Sequence, residues 1–296
     1  MRIVEFGQRH RWVPVLACVV TAAGCAAPGT AVEMTPEVTV MTAGAMLRDP
    51  VWSYRIDALV GLTDDNRVAE ITDLLRPGRA TTRLSQPIAV GRNLQISRKD
   101  DRHIFVPQPQ NGKVAVIDLH TVRQVDEFDA GPAPAYLSED SGMRVLLALS
   151  ADGSSVTPID EYGFRALPTA EITGDPSDVI DGANRGREIE YHIYGSSGIR
   201  YYKGPSSPLP SPIRRIGTDD TRIYAATDRE VVVLETNDVT GYPHHTIPVL
   251  RTTNYRTGLP DAERSAPLTG MALGPHRVYL TFAGTPLVVS VAKPRL

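Results

Sequence analysis

The sequence predicts an all-β fold built from repeated strand–turn–strand units, and three observations support that prediction. A pair of apolar strands joined by a polar turn recurs six times in the 296 residues. Equivalent positions in successive pairs lie 44 residues apart on average, which falls within the repeat of roughly 40 to 50 residues that four-stranded propeller blades show. No stretch has apolar residues at the 3.6-residue period of an amphipathic helix. The predicted fold class is therefore an all-β β-propeller with six four-stranded blades, and seven blades are the alternative.

The clearest strand pair spans residues 105–118, FVPQPQNGKVAVID. Its Asn111-Gly112 dipeptide predicts a two-residue hairpin turn, because both residue types tolerate positive φ. The equivalent pairs cover residues 58–71, 145–159, 190–202, 223–234 and 278–291. The spacing of 31 residues before the fifth pair and of 55 before the sixth predicts a trimmed fourth unit and an insertion over residues 240–265. A seventh blade would have to lie within that long interval.

Each pair is expected to have a further strand on either side. Residues 124–128, QVDEF, follow the clearest pair, and the apolar residues 133–137 precede the next one. The sixth pair is followed by only a few residues, which leaves no sequence for its outer strand. Residues 37–41 have the same alternating pattern as 124–128 and are likewise followed by Ala-Gly. They are predicted to complete the last blade and so to close the ring, which hides the open sheet edges.

Residues 105–128 resemble the YVTN-type repeat of bacterial β-propeller proteins. In that family a Tyr-Val-rich strand and an Asn-containing turn precede a Val-x-Val-Ile-Asp strand, and here residues 114–118 are VAVID. The resemblance is clearest over residues 87–160 and is recognisable at 218–236 and 270–291. It implies a fold and no particular chemistry, because the residues that carry it are structural.

The N-terminal 24 residues have the composition of a secretory signal peptide. Three arginines, at positions 2, 9 and 11, precede the nearly uncharged residues 12–24. That run is too short to span a bilayer comfortably, and small residues end it.

Residues 22–25, Ala-Ala-Gly-Cys, resemble the lipobox of bacterial lipoproteins, although Ala22 stands where that family usually has Leu. The resemblance implies cleavage between Gly24 and Cys25 and attachment of lipid, palmitate included, to Cys25. The alternative is that Cys25 is an incidental residue after an ordinary cleavage site. The only other cysteine, Cys18, lies inside the apolar run. The predicted organisation is thus a signal peptide at 1–24, a lipid-anchored tether at 25–36 and a β-propeller domain at 37–296.

The charge of the chain restricts its partners. Its net charge of −3 offers no basic footprint for a phosphate backbone, so no nucleic-acid partner is expected. The predicted partners are the membrane, through the lipid anchor, and an envelope protein. The predicted location is the outer face of the bacterial cytoplasmic membrane or the cell envelope.

No familiar catalytic or cofactor motif occurs in the sequence, and no cofactor is predicted. The pairs Asp64-Asp65 and Asp100-Asp101 are expected to form turns through local side-chain to backbone hydrogen bonds. His244-His245 are assigned to a solvated loop rather than to a metal site. Two weaker sets of candidate site residues are an acidic cluster for a cation, Asp175, Asp178 and Asp181, and an aromatic set for a partner, Tyr191, Tyr194, Tyr201 and Tyr202. For the tyrosines the alternative is ordinary strand residues beside a long connector.

The sequence therefore favours a cell-envelope lipoprotein whose β-propeller serves as a binding or scaffolding module. The competing hypothesis is an enzyme or small-solute-binding propeller with its site in the central channel, comparable to lactonases or dehydrogenases. No catalytic residue is assigned under either hypothesis.

Overall fold

The structure is a computed structural model that describes residues 36–76, 78–140, 145–172, 179–185, 189–194, 198–201, 207–219, 222–235 and 247–294. All of them belong to one unit, Pro36–Leu296. They contain a short 3₁₀ helix, Tyr255–Gly258, and the strands β1 (Val38–Thr42), β2 (Leu47–Ser53), β3 (Ala58–Thr63), β4 (Val68–Thr72), β5 (Thr81–Leu84), β6 (Gln95–Ile96), β7 (His103–Gln108), β8 (Lys113–Asp118), β9 (Arg123–Asp129), β10 (Pro134–Asp140), β11 (Val145–Ser150), β12 (Ser155–Asp160), β13 (Arg165–Ala166), β14 (Ala170–Glu171), β15 (Val179–Arg185), β16 (Ile189–Tyr194), β17 (Gly198–Tyr201), β18 (Ser207–Pro208), β19 (Ile213–Thr218), β20 (Arg222–Thr227), β21 (Glu230–Glu235), β22 (Val249–Asn254), β23 (Leu268–Leu273), β24 (Arg277–Phe282) and β25 (Leu287–Ala292). Within the described residues, no helix combines the length and the apolarity needed to cross a membrane.

The strands form the sheets of a β-propeller, in chain order. The sheets are β2–β5, β6–β9, β10–β14, β15–β18, β19–β22, and β23–β25 together with β1. They are called the first to the sixth sheet below. Contacts link the first strands β23 to β2, β2 to β6, and β6 to β10, as well as β15 to β19 and β19 to β23.

The predicted uniform set of four-stranded blades is wrong. Five of the described sheets have four strands, whereas the third has five, because β13 and β14 both pair with β12. Pro168 lies between these two short strands and has no N–H to donate, so it interrupts what would otherwise be one outer strand. The seven-blade alternative is also wrong, because described residues of the long interval form β22 and the 3₁₀ helix rather than a further sheet.

The last sheet combines the N-terminal strand with three C-terminal strands. β1 runs antiparallel to β25, from the pair Val38 and Val291 to the pair Thr42 and Leu287. Arg277 of β24 fixes the start of this strand, since its Nη2 donates to the carbonyl oxygens of Pro36 (3.0 Å) and Glu37 (3.2 Å) and to Thr39 Oγ1 (3.2 Å). The closing strand predicted at 37–41 is thus observed at 38–42, one residue further along.

The two ends of the sheets differ, and we define the upper end as the one at which the first strand of each sheet begins. Because neighbouring strands are antiparallel, the turns between second and third strands and the connections to the next sheet lie at the same end. Hydrogen bonds join neighbouring sheets at this end. Thr269 Oγ1 of β23 donates to the Leu47 carbonyl of β2 (2.7 Å), and the N–H of Arg92, which precedes β6, donates to the Ala135 carbonyl of β10 (2.7 Å). β1 begins at the opposite, lower end, because it is antiparallel to β25.

The turns between second and third strands agree with the sequence-based prediction in all but one of the cases described below. Gly112, Gly153 and Gly284 have φ of 68°, 73° and 74°, and Asn66 has 60°, as expected of second-to-third-strand turns. The connection between β7 and β8 covers residues 109–112, however, and only Gly112 in it has positive φ. The predicted two-residue Asn111-Gly112 turn is therefore wrong: this is a longer turn in which glycine takes the left-handed position.

The apolar core lies between neighbouring sheets. The ring centroids of Phe105 and Phe128 in the second sheet each lie 5.9 Å from that of Phe164, which stands just before β13 of the third sheet. Trp52 of the first sheet stacks on Tyr279 of the sixth at 4.5 Å. Since burying a large aromatic side chain stabilises the fold by roughly 1.5 to 3 kcal/mol, these contacts bind each sheet to the next.

Candidate binding pocket at the upper end

An open pocket of about 770 Å³ lies at the upper end, beside the fifth and sixth sheets. The start of β19, the turn between β20 and β21, the end of β22 with the 3₁₀ helix, and the connection to β23 form its walls. Its lining residues are Arg214, Asp228, Arg229, Asn254, Arg256, Thr257, Arg264, Ser265 and Pro267. Four of them are arginines and one is an acid.

The one acid of the pocket is neutralised within it. Arg214 donates from Nε and Nη2 to the two carboxylate oxygens of Asp228, at 2.9 and 2.8 Å. This bidentate pairing is the strongest geometry available to an arginine and a carboxylate. The hydrogen bond from Arg214 holds the pKa of Asp228 below its usual range. Asp228 therefore remains charged and paired, and the other three arginines have no acid in the pocket left to balance them.

Arg256 forms the inner wall and is only 8% exposed. Its Nε donates to the Asp228 carbonyl at 2.7 Å and its Nη1 to the Ala266 carbonyl at 2.6 Å. The guanidinium carbon lies 5.1 Å from the ring centroid of Tyr255 and 4.9 Å from that of Phe282, within the range of a cation–π contact. These partners are neutral, and the nearby Asp228 carboxylate, which also interacts with the charge of Arg256, gives both of its oxygens to hydrogen bonds from Arg214.

Local hydrogen bonds hold Arg256 and its aromatic support in place. Asn254 precedes the 3₁₀ helix and accepts the Arg256 N–H on Oδ1 at 3.0 Å. The Tyr255 hydroxyl donates to the Thr227 carbonyl at 2.7 Å, and burial raises the pKa of Tyr255 to about 12. The Tyr255 N–H donates to the Arg229 carbonyl at 3.2 Å. The end of β22 is thereby fixed to the β20–β21 turn, which sets the width of the pocket.

Arg229 and Arg264 lie at the outer rim. The exposed guanidinium of Arg229 contacts no acceptor in the part of the chain that the structure describes. Arg264 pairs with Asp261 at 2.7 Å, and both side chains are largely exposed. Exposed pairs of this kind contribute little to stability and separate readily.

Further positive charge continues from the pocket toward the centre of the ring. Arg215, next to Arg214 on β19, reaches Asp49 of β2 at 3.2 Å and the Thr269 carbonyl of β23 at 3.1 Å. Arg48 donates to the Arg92 carbonyl at 3.0 Å. The pKa of Asp49 is raised, because the cost of burying its charge exceeds the stabilisation by Arg215 and Arg48.

The lower end has a smaller hollow of about 190 Å³, lined by Arg55, Ile56, Arg102, Leu119 and His120. His103 lies near that end, and its Nδ1 is 2.6 Å from Asp100 Oδ2. Among the described residues, no three His, Cys, Asp or Glu side chains come together as a metal site would require.

Some of the residues that the sequence singles out lie outside the described part of the chain. They are Gly24, Cys25, Asp175, Asp178, Tyr202 and the pair His244-His245. Asp181 lies on β15, Tyr191 and Tyr194 on β16, and Tyr201 on β17. Tyr191 and Tyr201 are cross-strand partners. These strands belong to the fourth sheet, whereas the pocket lies beside the fifth and sixth, so the two sets of candidate residues are separate.

Among the paired aspartates, Asp100 makes the predicted local bonds to the backbone, whereas Asp65 bonds locally to a side chain and Asp101 bonds to distant residues. Asp65 accepts a hydrogen bond from Thr63 Oγ1 at 2.5 Å, two residues away. Asp100 accepts the backbone N–H of Arg102 at 3.0 Å and that of His103 at 3.3 Å. Asp101 also accepts Ser53 Oγ at 3.2 Å, which links the second sheet to the first.

Sequence reasoning missed the arginine-lined pocket. Its residues are spread over some fifty positions, and most of the partners that order them are backbone carbonyls, which leave no trace in a sequence. One indication was present: seven arginines occur between residues 214 and 264 of a chain with net negative charge. They are Arg214, Arg215, Arg222, Arg229, Arg251, Arg256 and Arg264.

Comparisons with known proteins support the fold and do not assign a family. No protein-family profile and no curated protein sequence matches the chain. A chain of the mitotic checkpoint complex superimposes with a TM-score of 0.63 at 12% identity, covering 96% of this chain and 99% of that one. Virginiamycin B lyase from Staphylococcus aureus gives 0.54 at 10% identity, covering 87% and 99%, and a luciferin-regenerating enzyme gives 0.58 at 12%, covering 86% and 95%. At these identities the similarity shows the β-propeller fold alone, which serves enzymes and non-enzymes alike.

Proposed function

We propose that this chain is an exported, lipid-anchored β-propeller that acts as a binding module of the bacterial cell envelope, with the upper-end pocket as its ligand site. The observation that supports the proposal is the construction of that pocket. Four segments of chain form it, and a nearly buried arginine with two aromatic rings behind it is fixed in one wall. Its volume lies in the range of about 300 to 1,000 Å³ that small-molecule sites occupy.

The chemistry of the pocket favours binding over catalysis. General acid–base catalysis needs a group whose pKa lies near the working pH. The arginines of the pocket stay protonated at any physiological pH, and the hydrogen bonds from Arg214 lower the pKa of Asp228. The described lining thus supplies charge and hydrogen bonds, but no group suited to exchange a proton near neutrality.

The alternative is an enzyme or solute site at the centre of the ring, and Asp49 is the residue that favours it. Its raised pKa and its position between Arg48 and Arg215 suit a proton acceptor beside an anionic substrate. Virginiamycin B lyase and the luciferin-regenerating enzyme are enzymes with similar folds. We rank this second, because both arginines already engage protein acceptors.

The position of β1 is compatible with a lipid anchor that leaves the pocket accessible. β1 begins at the lower end, where the proposed tether 25–36 would join it, and the pocket opens at the upper end. A tether of about 12 residues reaches at most roughly 40 Å when extended. The strand that the tether would join thus begins at the end of the domain opposite to the ligand site.

Labelling with radioactive palmitate in a bacterial host tests the anchor. We expect the full chain to incorporate the label and to sediment with membranes, and the Cys25→Ser variant to lose both properties. Cys18→Ser is the matched control, since it removes the other cysteine of the chain and should leave the label in place. An unlabelled wild-type chain, or a label that Cys25→Ser retains, would contradict the proposed anchor.

A further inference from the structure

We infer that the ligand of the upper-end pocket is a small anionic molecule whose phosphate or carboxylate group is held by Arg256 and Arg229. The inference rests on the proposed function, because it names the ligand class of the same site. It is argued from the unfilled hydrogen-bonding capacity of one arginine, the charge balance of the lining and the size of the pocket.

Arg256 has one donor group left over, in a position where a ligand would meet it. Nε and Nη1 donate to the carbonyls of Asp228 and Ala266, whereas Nη2 donates to neither of these carbonyls. The side chain is more than nine-tenths buried and lines the pocket. A buried charge whose nearby carboxylate is shared with a second arginine is incompletely balanced, and a planar guanidinium matches the oxygens of a phosphate or carboxylate. An anion at Nη2 would supply a negative charge that is not shared with Arg214.

The remaining groups of the lining favour an anion over other ligands. Arg214 forms an ion pair with Asp228. Arg264 forms an ion pair with Asp261, which does not belong to the pocket lining. Arg229 keeps an exposed guanidinium with no acceptor in the described part of the chain. A cationic ligand would be repelled by this set of charges, and a neutral one would leave the excess positive charge of four arginines over one acid unbalanced.

The size of the pocket points to a molecule rather than to a single ion. A volume of about 770 Å³ exceeds that of one phosphate several-fold. The hydroxyl of Ser265 and the amide of Asn254 lie on the same lining and suit the polar remainder of such a ligand. Phosphate and carboxylate groups are recognised by the same arginine geometry, so the experiment must separate the two sources.

The inference is tested by calorimetric titration of the detergent-solubilised full chain. The probes are pyrophosphate for phosphate chemistry, citrate for carboxylate chemistry and glucose as a neutral molecule. We expect pyrophosphate or citrate to bind and glucose not to bind. Arg229→Gln should weaken the binding at least 10-fold, and Arg256→Lys, which keeps the charge but loses the planar fork, should weaken it at least as much.

Arg123→Gln is the matched control, because Arg123 is exposed on β9 of the second sheet and its loss changes the net charge equally. Binding by this variant should stay within twofold of wild type. Equal weakening in Arg229→Gln and Arg123→Gln, or binding of glucose alone, or no binding of either anionic probe, would overturn the inference. The palmitate experiment has an independent readout, so failure of the anion test is distinguishable from failure of the anchor.

Discussion

At the scale of single residues, Glu161 is a carboxylic acid in a place that disfavours its charge. It is 1% exposed, and neither carboxylate oxygen has a hydrogen-bond partner among the described residues. Nearby Glu139 forms an ion pair with Arg98, at 2.8 Å. Burial first, and then repulsion by Glu139, raises the pKa of Glu161 to about 7. The folded chain therefore takes up a proton here that the unfolded chain releases.

Removing this charge should stabilise the protein at high pH. Because the folded pKa of Glu161 exceeds its unfolded value of 4.5, the proton it gains stabilises the fold at low pH, and that contribution is lost as the pH rises through about 7. We expect Glu161→Gln to raise the free energy of unfolding by about 2 kcal/mol at pH 8 and by much less at pH 5, as measured by urea denaturation.

Glu171→Gln, which removes a carboxylate at an exposed position of β14, serves as the control. A Glu161→Gln variant whose stability differs from wild type equally at pH 5 and pH 8 would show that Glu161 does not titrate as proposed.

Residue-level prediction from the sequence succeeded where partners are close in the chain. Asp65 and Asp100 bond to groups two or three residues away, so their turn roles follow from local chemistry. Arg256 bonds to carbonyls 28 and 10 residues away, at Asp228 and Ala266. Only the folded chain brings those carbonyls together, and nothing in the sequence around Arg256 distinguishes it from any surface arginine.

At the scale of elements, β1 shows how far a strand pattern alone can lead. Its alternating residues and the following Ala-Gly match the outer strand of the second sheet, which is sufficient to assign it to the last blade. The sequence does not show how Arg277 secures it. That side chain is 2% exposed, and three of its hydrogen bonds go to Pro36, Glu37 and Thr39.

Deleting residues 35–42 should prevent soluble folding. The deletion leaves β25 with an unpaired edge, which invites aggregation, and it strips the buried Arg277 of those three acceptors. We expect an insoluble or aggregated product in a sedimentation assay. Deletion of residues 26–33 removes the same number of residues from the proposed tether and should leave a folded domain. A soluble monomer of the 35–42 deletion that melts cooperatively would contradict the role of β1.

The β-bulges in the first strands depend on contacts between sheets and could not be predicted from the sequence. The first strands β2, β10, β15, β19 and β23 each have a register shift typical of a β-bulge. At Gly270 of β23, an added Cβ would lie 2.1 Å from Pro50 Cδ of β2. Such a close approach of two strands fixes both the bulge and the glycine, and it arises only when both sheets are in place.

At the scale of the whole molecule, the closing strand determines whether the sheets unfold together or one at a time. Sheet-to-sheet aromatic contacts occur at separate places around the ring, as with Phe105 and Phe164 at one place and Trp52 and Tyr279 at another. An open array of repeats frays from its terminal units. With β1 paired to β25, the first and the last described strands belong to one sheet, and neither end is left as a terminal unit.

Unfolding should consequently be a single transition for the whole ring. Phe105→Ala removes a fully buried ring from the second sheet and should cost about 3 to 5 kcal/mol. In a chain that carries Trp12→Phe, Trp52 of the first sheet is the only tryptophan, so its fluorescence reports on a site that Phe105 does not touch. We expect Phe105→Ala to shift the urea midpoint by the same amount in Trp52 fluorescence and in far-ultraviolet circular dichroism, because the closed ring transmits the loss to every sheet.

Val125→Ala, at an exposed position of the same second sheet, should leave both midpoints in place. A Trp52 midpoint that stays unchanged while the circular dichroism splits into two transitions would mean that the sheets unfold independently despite the closing strand.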